Sequence, residues 1–496
     1  MLRVVKSALL SVSLILGLLV APQPAVGDVR TQTSDSDQAA ALFNPTRVVY
    51  IEIIRALDGP SLTKPYLNSE EYRKASVKIR ISGTKKYYVV RNVGVRQKGS
   101  YTRRFEKLSM KIKFDAFVDG QTFMGLKRLT LNAMMQDFSM LHETTAYKLY
   151  RSAGIPAPRT GYARVKLDGA YLGLYVNVES IDKSMLGRWF KNTGHVYSGP
   201  VKCDLVPGKN CYTASIGDVN DKKDLIRYES IHKLSGAAWW QKFQKYTNSE
   251  EVLRYIAVDI FLSNWDGYTS FNHNNHFVHF DKDGTMSLIP WGLDQTFPQS
   301  KKKQLNWDDS SPRYYGQTET QSTIFVHCIN YNPCYDKLLE QGVYVSNLID
   351  RIGLVDFKNS VKNKILIPRH LKNDISHKTV DFTHLSAAWI DDFLKLRQQA
   401  LNDFLKRRAP AKLQVTTPEE VKTNHKISPT IQEIWEPEVK ATYQWFIGKT
   451  PIKDATEATL KTNKDLTGKK VKLRITLTKP NQPATTQFSK TIKVTN

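Results

Sequence analysis

The sequence predicts an α+β protein: a β-rich N-terminal part, a helical middle and a small all-β segment at the end. Three patterns carry this. Between residues 48 and 114, runs of apolar residues alternate with polar ones at the period of two that suits a half-buried strand. Three stretches between 137 and 408 carry apolar residues at helical spacing, with capping and stop residues at their ends. Beyond Pro429, short Thr-rich alternating runs return.

In chain order, Val48 to Ile54 reads as a buried strand, Val77, Ile79 and Ile81 alternate up to Gly83, and Tyr87 to Val95 forms another strand. Met110, Ile112 and Phe114 alternate with Lys111 and Lys113, placing both lysines on one face. A helix starts at Asp137 or Ser139 and runs to Ala153, where Gly154 and Pro156 are stop signals. Asn248-Ser249-Glu250-Glu251 opens a second helix through Val252, Ile256, Ile260 and Leu262. A third starts at Asp381 or Thr383 and carries Leu385, Trp389, Phe393, Leu396, Leu401 and Phe404 as an amphipathic set before Pro410. Residues 409–429 read as a linker. Residues 430–496 hold strands at Tyr443 to Ile447 and Val471 to Leu477, enough for a small sandwich that tethers or spaces.

The N-terminus predicts export. Arg3 and Lys6 precede an uncharged run from Ala8 to Ala21, and Ala25-Val26-Gly27 offers a small-residue exit, so 1–27 reads as a secretory signal. A polar leader, 28–45, follows. No later run reaches the roughly 20 apolar residues of a membrane helix, so no transmembrane anchor is expected. The expected location is secreted: extracellular or cell-wall associated. In an oxidising compartment Cys203, Cys211, Cys328 and Cys334 read as disulfides, with three connectivities open. The formal charge is +25, or +23 once Arg3 and Lys6 leave with the signal. Such a charge attracts polyanions. Outside a cell these are anionic cell-wall polymers, lipid surfaces or acidic proteins; no aromatic-interleaved basic repeat points to nucleic acid.

Chemistry concentrates in two motifs, Asn264-Trp265-Asp266-Gly267-Tyr268 and Pro290-Trp291-Gly292-Leu293-Asp294-Gln295-Thr296-Phe297. Each puts a carboxylate on a bend after a regular element, and the residues between them read as a tight hairpin turning at Asp281-Lys282-Asp283-Gly284. The two acids then converge on one cleft, with Asn274 and Asn275 beside them, an oxygen-rich set suited to a hard divalent ion. Two other readings compete. Both acids could be ordinary turn formers, or the acid and base of a glycoside hydrolase.

Read in order, several blocks resemble the spore-coat protein H (CotH) kinase family of secreted atypical kinases. They are Gly94-Val95-Arg96-Gln97-Lys98-Gly99, the lysine strand Lys107 to Phe114, the helix ending before Gly154-Ile155-Pro156, Tyr171-Leu172-Gly173-Leu174-Tyr175 with Glu179-Ser180-Ile181-Asp182, and the two motifs above. The resemblance implies a kinase-like two-lobe domain over 46–408, a β-rich lobe followed by a helical one, using ATP with Mg or Mn to phosphorylate hydroxyl side chains of a secreted or surface protein. It casts Asp266 as catalytic base and Asp294 as metal ligand, with Asn275 and then Asn274 on the metal side. Lys111, ahead of Lys107 and Lys113, faces the ATP phosphates with Glu143 as its partner; Arg96 and Gly99 complete the phosphate side. One position departs: the family's Asp-Leu-Asp is Gly292-Leu293-Asp294 here, which keeps a nucleotide-binding pseudokinase, or a non-catalytic cationic adhesion protein, in play. Lys301-Lys302-Lys303 begins the segment where an acceptor would sit, a basic start suited to an acidic or already phosphorylated substrate. The segment from Tyr443 to Leu477 resembles the Ig-like modules appended to secreted bacterial enzymes.

Overall fold

The computed structural model describes residues 38–55, 69–99, 101–300, 304–305, 307, 312–314, 317–318, 321–408, 414–432, 439–478 and 484–496. The expected signal sequence, most of the leader, Ser100 and Lys301-Lys302-Lys303 lie outside them.

Seven strands close into a barrel: β1 (Val48–Arg55), β2 (Arg73–Arg80), β3 (Tyr88–Gln97), β4 (Met110–Lys113), β5 (Arg128–Asn132), β6 (Thr160–Leu167) and β7 (Ala170–Val178). Their order is β1-β2-β3-β4-β5-β7-β6, and parallel pairing of β1 with β6 closes the ring. The alternation in the sequence explains the interior. Ile51 and Ile53, Val77 and Ile79, Val93 and Val95, Met110 and Ile112, and Leu129 and Leu131 fill one core. Closure leaves no unpaired strand edge. Lys111 pairs with Arg96 across β3 and β4, so both take the face opposite that core.

Helix α1 (His142–Ser152) lies between β5 and β6. It begins later than Asp137 or Ser139, yet Asp137 still caps it: one carboxylate oxygen accepts the His142 amide at 2.7 Å and the other accepts the Ser139 amide at 2.9 Å. Gly154, at φ 73°, follows its end.

Lys107 is fully buried. Its ammonium pairs with Asp374 at 3.0 Å and donates to the Leu174 carbonyl at 2.6 Å. Asp374 in turn accepts the Leu174 amide at 2.7 Å. Gly173 permits this approach, because a Cβ there would lie 2.3 Å from the Asp374 carboxyl. Lys107 therefore joins the barrel to the segment before the last helix, and burial draws its pKa down to about 8. Lys107→Met strands a buried carboxylate and is expected to cost roughly 3–5 kcal/mol. Chemical denaturation followed by tryptophan fluorescence checks this.

After α2 (Lys183–Trp189), the strands β8 (His195–Ser198), β9 (Thr213–Ile216), β10 (His276–Phe280) and β11 (Met286–Pro290) form a sheet in the order β11-β10-β8-β9. Helices α3 (Lys223–Ser230), α4 (Gly236–Tyr246) and α5 (Ser249–Leu262) come between β9 and β10. Beyond β11 come the short pair β12 (Pro312–Tyr314) and β13 (Gln317–Thr318), then α6 (Thr323–Ile329), α7 (Asn332–Arg351), α8 (Leu354–Ile365), α9 (Pro368–Leu371) and α10 (Val380–Arg408). Helix α5 is apolar nearly all round and is the buried centre, touching α1, α7 and α10; a helix hydrophobic on every side belongs in a core. Asn248 caps it by accepting the Glu251 amide. On α10 the amphipathic set divides. Phe393, Leu401 and Phe404 are buried, whereas Leu385 is 74% exposed and Leu396 51%.

The disulfides are the local pairs, Cys203–Cys211 and Cys328–Cys334. Beyond α10 the chain is all β: β14 (Gln414–Thr416), β15 (Glu420–Lys422), β16 (Lys426–Ile427), β17 (Thr430–Gln432), β18 (Lys440–Ile447), β19 (Thr450–Pro451), β20 (Leu460–Lys461), β21 (Lys470–Thr478), β22 (Thr485–Phe488) and β23 (Ile492–Thr495). They enclose a core of their own around the fully buried Trp445. The stretch read as a linker supplies β14, β15 and β16, which pair with β17, β23 and β20. Among the described residues no helix is long and apolar enough to cross a membrane.

Candidate active site

The predicted hairpin forms: β10 pairs with β11 from His276↔Pro290 to Phe280↔Met286. One further bond, from the Trp291 amide to the Asn275 carbonyl at 2.9 Å, carries the pairing to the edge of a cleft. Asp294 lies just past it in a single 3-10 turn, Leu293–Gln295. Asp266 arrives from the other direction, on the loop after α5. That loop is fixed from below by Asp259, a fully buried carboxylate at the end of α5. Asp259 accepts the Asn264 carboxamide at 2.9 Å and the Thr269 hydroxyl at 2.7 Å. The two motifs are also tied to each other, since the Phe297 amide donates to the Leu262 carbonyl at 2.9 Å.

Both carboxylates line a cleft of about 800 Å³, together with Lys98, Gly99, Asn132, Asn274, Asn275, Trp265 and Trp291. Asp266 is held by three asparagine amides. Asn275 donates to one of its oxygens at 2.9 Å, while Asn274 and Asn272 reach the other at 3.3 and 3.4 Å. A carboxylate in that cradle has a fixed orientation and a partly exposed edge. Since Asn275 turns its nitrogen to Asp266, its carbonyl oxygen is left toward the Gly292 turn.

Gly292 has φ 54°, and a Cβ built there would lie 2.9 Å from that oxygen. The glycine is therefore demanded by this loop, where Asn275 fills the space a side chain would need. Gly292→Asp is expected to lose roughly 1–3 kcal/mol of stability through strain at a left-handed position. Urea denaturation of both proteins measures it.

Behind the cleft, Glu143 on α1 is buried and accepts the Asn132 carboxamide at 2.7 Å. Asn132 is itself bonded to Ser109 at 3.2 Å. Burial, and then Asp294, push the Glu143 carboxyl up to about 8, while Lys98 acts against both. Burial likewise raises Asp294, with Lys98 opposing. Burial lowers Lys98, and the two acids oppose that. Lys98, Glu143 and Asp294 thus form one electrostatic group, with the Lys98 ammonium 5.0 Å from the centre of the Trp291 ring.

No Lys111–Glu143 ion pair forms; the lysine whose charge acts on Glu143 is Lys98. Strand geometry explains it. Lys111 faces a second groove of about 520 Å³ on the other side of Trp291, lined also by Lys113, Arg128, Ile181, Ile216 and Phe277. Burial, with repulsion from Lys98, Arg96 and Arg128, draws Lys111 down to about 7. Lys107 is structural, and Lys113 lies 3.9 Å from Asp115. Arg96 is ion-paired with Glu70 and does not line the cleft. Gly99, at φ 96°, does line it, and a Cβ there would strike the Thr102 hydroxyl. Sequence reasoning passed over Lys98, although the alternation that turns Val93, Val95 and Gln97 inward puts Lys98 on the other face, at the glycine turn. Asn272 and Asn132 carried no comparable signal, because each acts only through tertiary contact.

Among the described residues no cluster of three or more His, Cys, Asp or Glu side chains could hold a metal alone. A divalent ion here would draw on Asp294, on the amide oxygen of Asn275 and on oxygens of the bound ligand and water, which is how Mg²⁺ is usually held in phosphate sites. The donor set fits that group.

The chain is 23% identical over 336 residues to the inner spore coat protein H of Bacillus subtilis (strain 168), a match covering 63% of this chain and 87% of the relative. The profile described as CotH kinase protein matches residues 95–381, more than half of the chain and the whole span from Lys98 to Asp294, and the chain belongs to that family.

Proposed function

We propose that this chain is an exported, ATP-dependent protein kinase that uses Mg or Mn to phosphorylate hydroxyl side chains of a secreted or surface protein. The observation that supports it most is the placement of Asp266 and Asp294 in one cleft, with Lys98 and Glu143 behind them. ATP and its divalent ion supply the phosphoryl group and offset its charge; the protein's part is positioning and electrostatics. Asp294, Asn275 and then Asn274 hold the metal side. Lys98 faces the phosphates, and Lys111 does so from the groove beyond Trp291, whose apolar floor of Ile181, Ile216 and Phe277 suits the base. Asp266 orients the acceptor hydroxyl and takes its proton on a carboxylate oxygen, its direction set by the three amides.

The barrel and the helical part serve as the two lobes of a kinase-like domain over 46–408. Strands β14 to β23 form an Ig-like module, and 1–27 is the export signal. The family relative named for a spore coat supports a surface or coat location, and the net charge of +25 supports contact with anionic wall polymers. A second reading, the nucleotide-binding pseudokinase, is favoured by Gly292 alone.

Lys111 provides a test. Its folded pKa, about 7, lies below that of an unfolded lysine, so its charged form penalises the free protein fully below pH 7. The penalty fades as pH rises toward roughly 10.5. A polyanion beside it reverses that preference. ATP binding at pH 8 is therefore expected to take up protons, less so at pH 6, and not at all through this group in Lys111→Met. Calorimetry in buffers of different ionisation enthalpy reads this; uptake equal in both proteins would remove Lys111 from the nucleotide site.

A further inference from the structure

A third groove opens from the cleft beside Trp265, apart from the one that Lys111 faces. It encloses about 200 Å³ and shares Gln136, Trp265, Asp294 and Gln295 with the cleft. Its outer wall is apolar: Phe138, Pro298 and, from α10, Trp389, whose indole nitrogen donates to the Phe297 carbonyl at 2.9 Å. Phe138 is 56% exposed, and its ring meets that of Phe382 edge to face at 5.7 Å.

The apolar surface continues along α10. Phe382, Leu385, Trp389 and Leu396 fall within an arc of about 60° at 100° per residue and extend about 21 Å along the helix. Phe382, Leu385 and Leu396 are 46%, 74% and 51% exposed. Exposed apolar residues gathered on one helix face mark an interaction surface.

We infer that this groove and the stripe leading from it bind the acceptor protein through a large apolar residue flanking the hydroxyl that is phosphorylated. The occupant follows from continuity with the cleft. Trp265 is the residue before Asp266 and forms part of both walls, so a chain with an apolar side chain between Phe138 and Trp389 passes the edge of Asp266. A nucleotide already has the opposite side, where Lys98 and Lys111 lie. The inference rests on the phosphotransfer reading for the identity of its ligand, but its test does not need turnover.

The probes are fluorescein-labelled serine-centred peptides in which each flanking position in turn is Leu, Phe, Ala, Asp or Lys. Binding is measured by anisotropy, and Phe382→Ser and Leu385→Asp are compared with the unchanged chain. Both positions are solvent-exposed, and melting temperature confirms the fold. One flanking position should show Leu or Phe binding about tenfold tighter than Ala, the scale of a single apolar pocket. Both variants should erase that gain while keeping the melting shift produced by ATP with Mn²⁺. No apolar preference, or a preference the variants leave intact, overturns the inference. So does a dimer that Leu385→Asp converts to monomer with peptide binding unaltered, since the stripe would then join two copies of this chain. If ATP with Mn²⁺ gives no melting shift even in the unchanged chain, the phosphotransfer reading fails separately, and the peptide result stands by itself.

Discussion

Asp266→Asn is expected to lower the initial rate of phosphate transfer by about 10²–10⁴-fold, the range for loss of a positioned general base. The melting shift with ATP and Mn²⁺ should stay. The reasoning is local. The Asp266 carboxylate accepts three asparagine amides, the closest at 2.9 Å, and an amide in its place keeps the shape but cannot take a proton at neutral pH. The substitution also sets an NH₂ group against donors on one side, so melting temperature must be followed to separate chemistry from a disordered loop. Radiolabel transfer from ATP to a protein acceptor gives the rate. A rate within tenfold of the unchanged chain would move the base elsewhere in the cleft.

Asp294→Ala is expected to abolish both the metal-dependent melting shift and transfer. Asp294 belongs to one field with Glu143 and Lys98. Its loss removes the carboxylate best placed for a cation and leaves Lys98 with a single buried acid. Glu143 should then ionise at lower pH, because the repulsion that follows burial in raising it is gone. Titration of Mn²⁺ by paramagnetic resonance separates the two roles. The unchanged chain with nucleotide should bind the ion, and Asp294→Ala should not. Equal Mn²⁺ binding by both would assign the metal to other oxygens.

The parts of this molecule legible in the sequence are those fixed by local pattern. Strands β1 to β4 of the barrel showed as apolar or alternating runs while β5 and β6 went unread; α5 showed its cap at Asn248, and the 276–290 hairpin its turn at Gly284. That Asp266 and Asp294 line one cleft was legible for the same reason, since each closes a regular element. The lysine was not. Lys98 and Lys107 lie in the connection between β3 and β4, and Lys111 and Lys113 on β4, and choosing among them needs barrel closure, which turns Lys107 onto Asp374, a partner 267 residues away. Leu385 and Leu396 misled for a related reason: helical periodicity shows that a face is apolar, not which neighbour covers it. Asn272 and Asn132 carry no pattern of their own, because their roles exist only once the two halves of the cleft meet.

The most direct test of the account is the intact mass of the protein, from Asp28 onward, and of an added casein acceptor after incubation with ATP and Mg²⁺ or Mn²⁺. A metal-dependent gain of phosphate on the protein or the acceptor is expected, and it should disappear in both Asp266→Asn and Asp294→Ala. No gain in any sample, together with no melting shift from ATP and metal, would contradict it and leave a cationic surface-binding protein in its place.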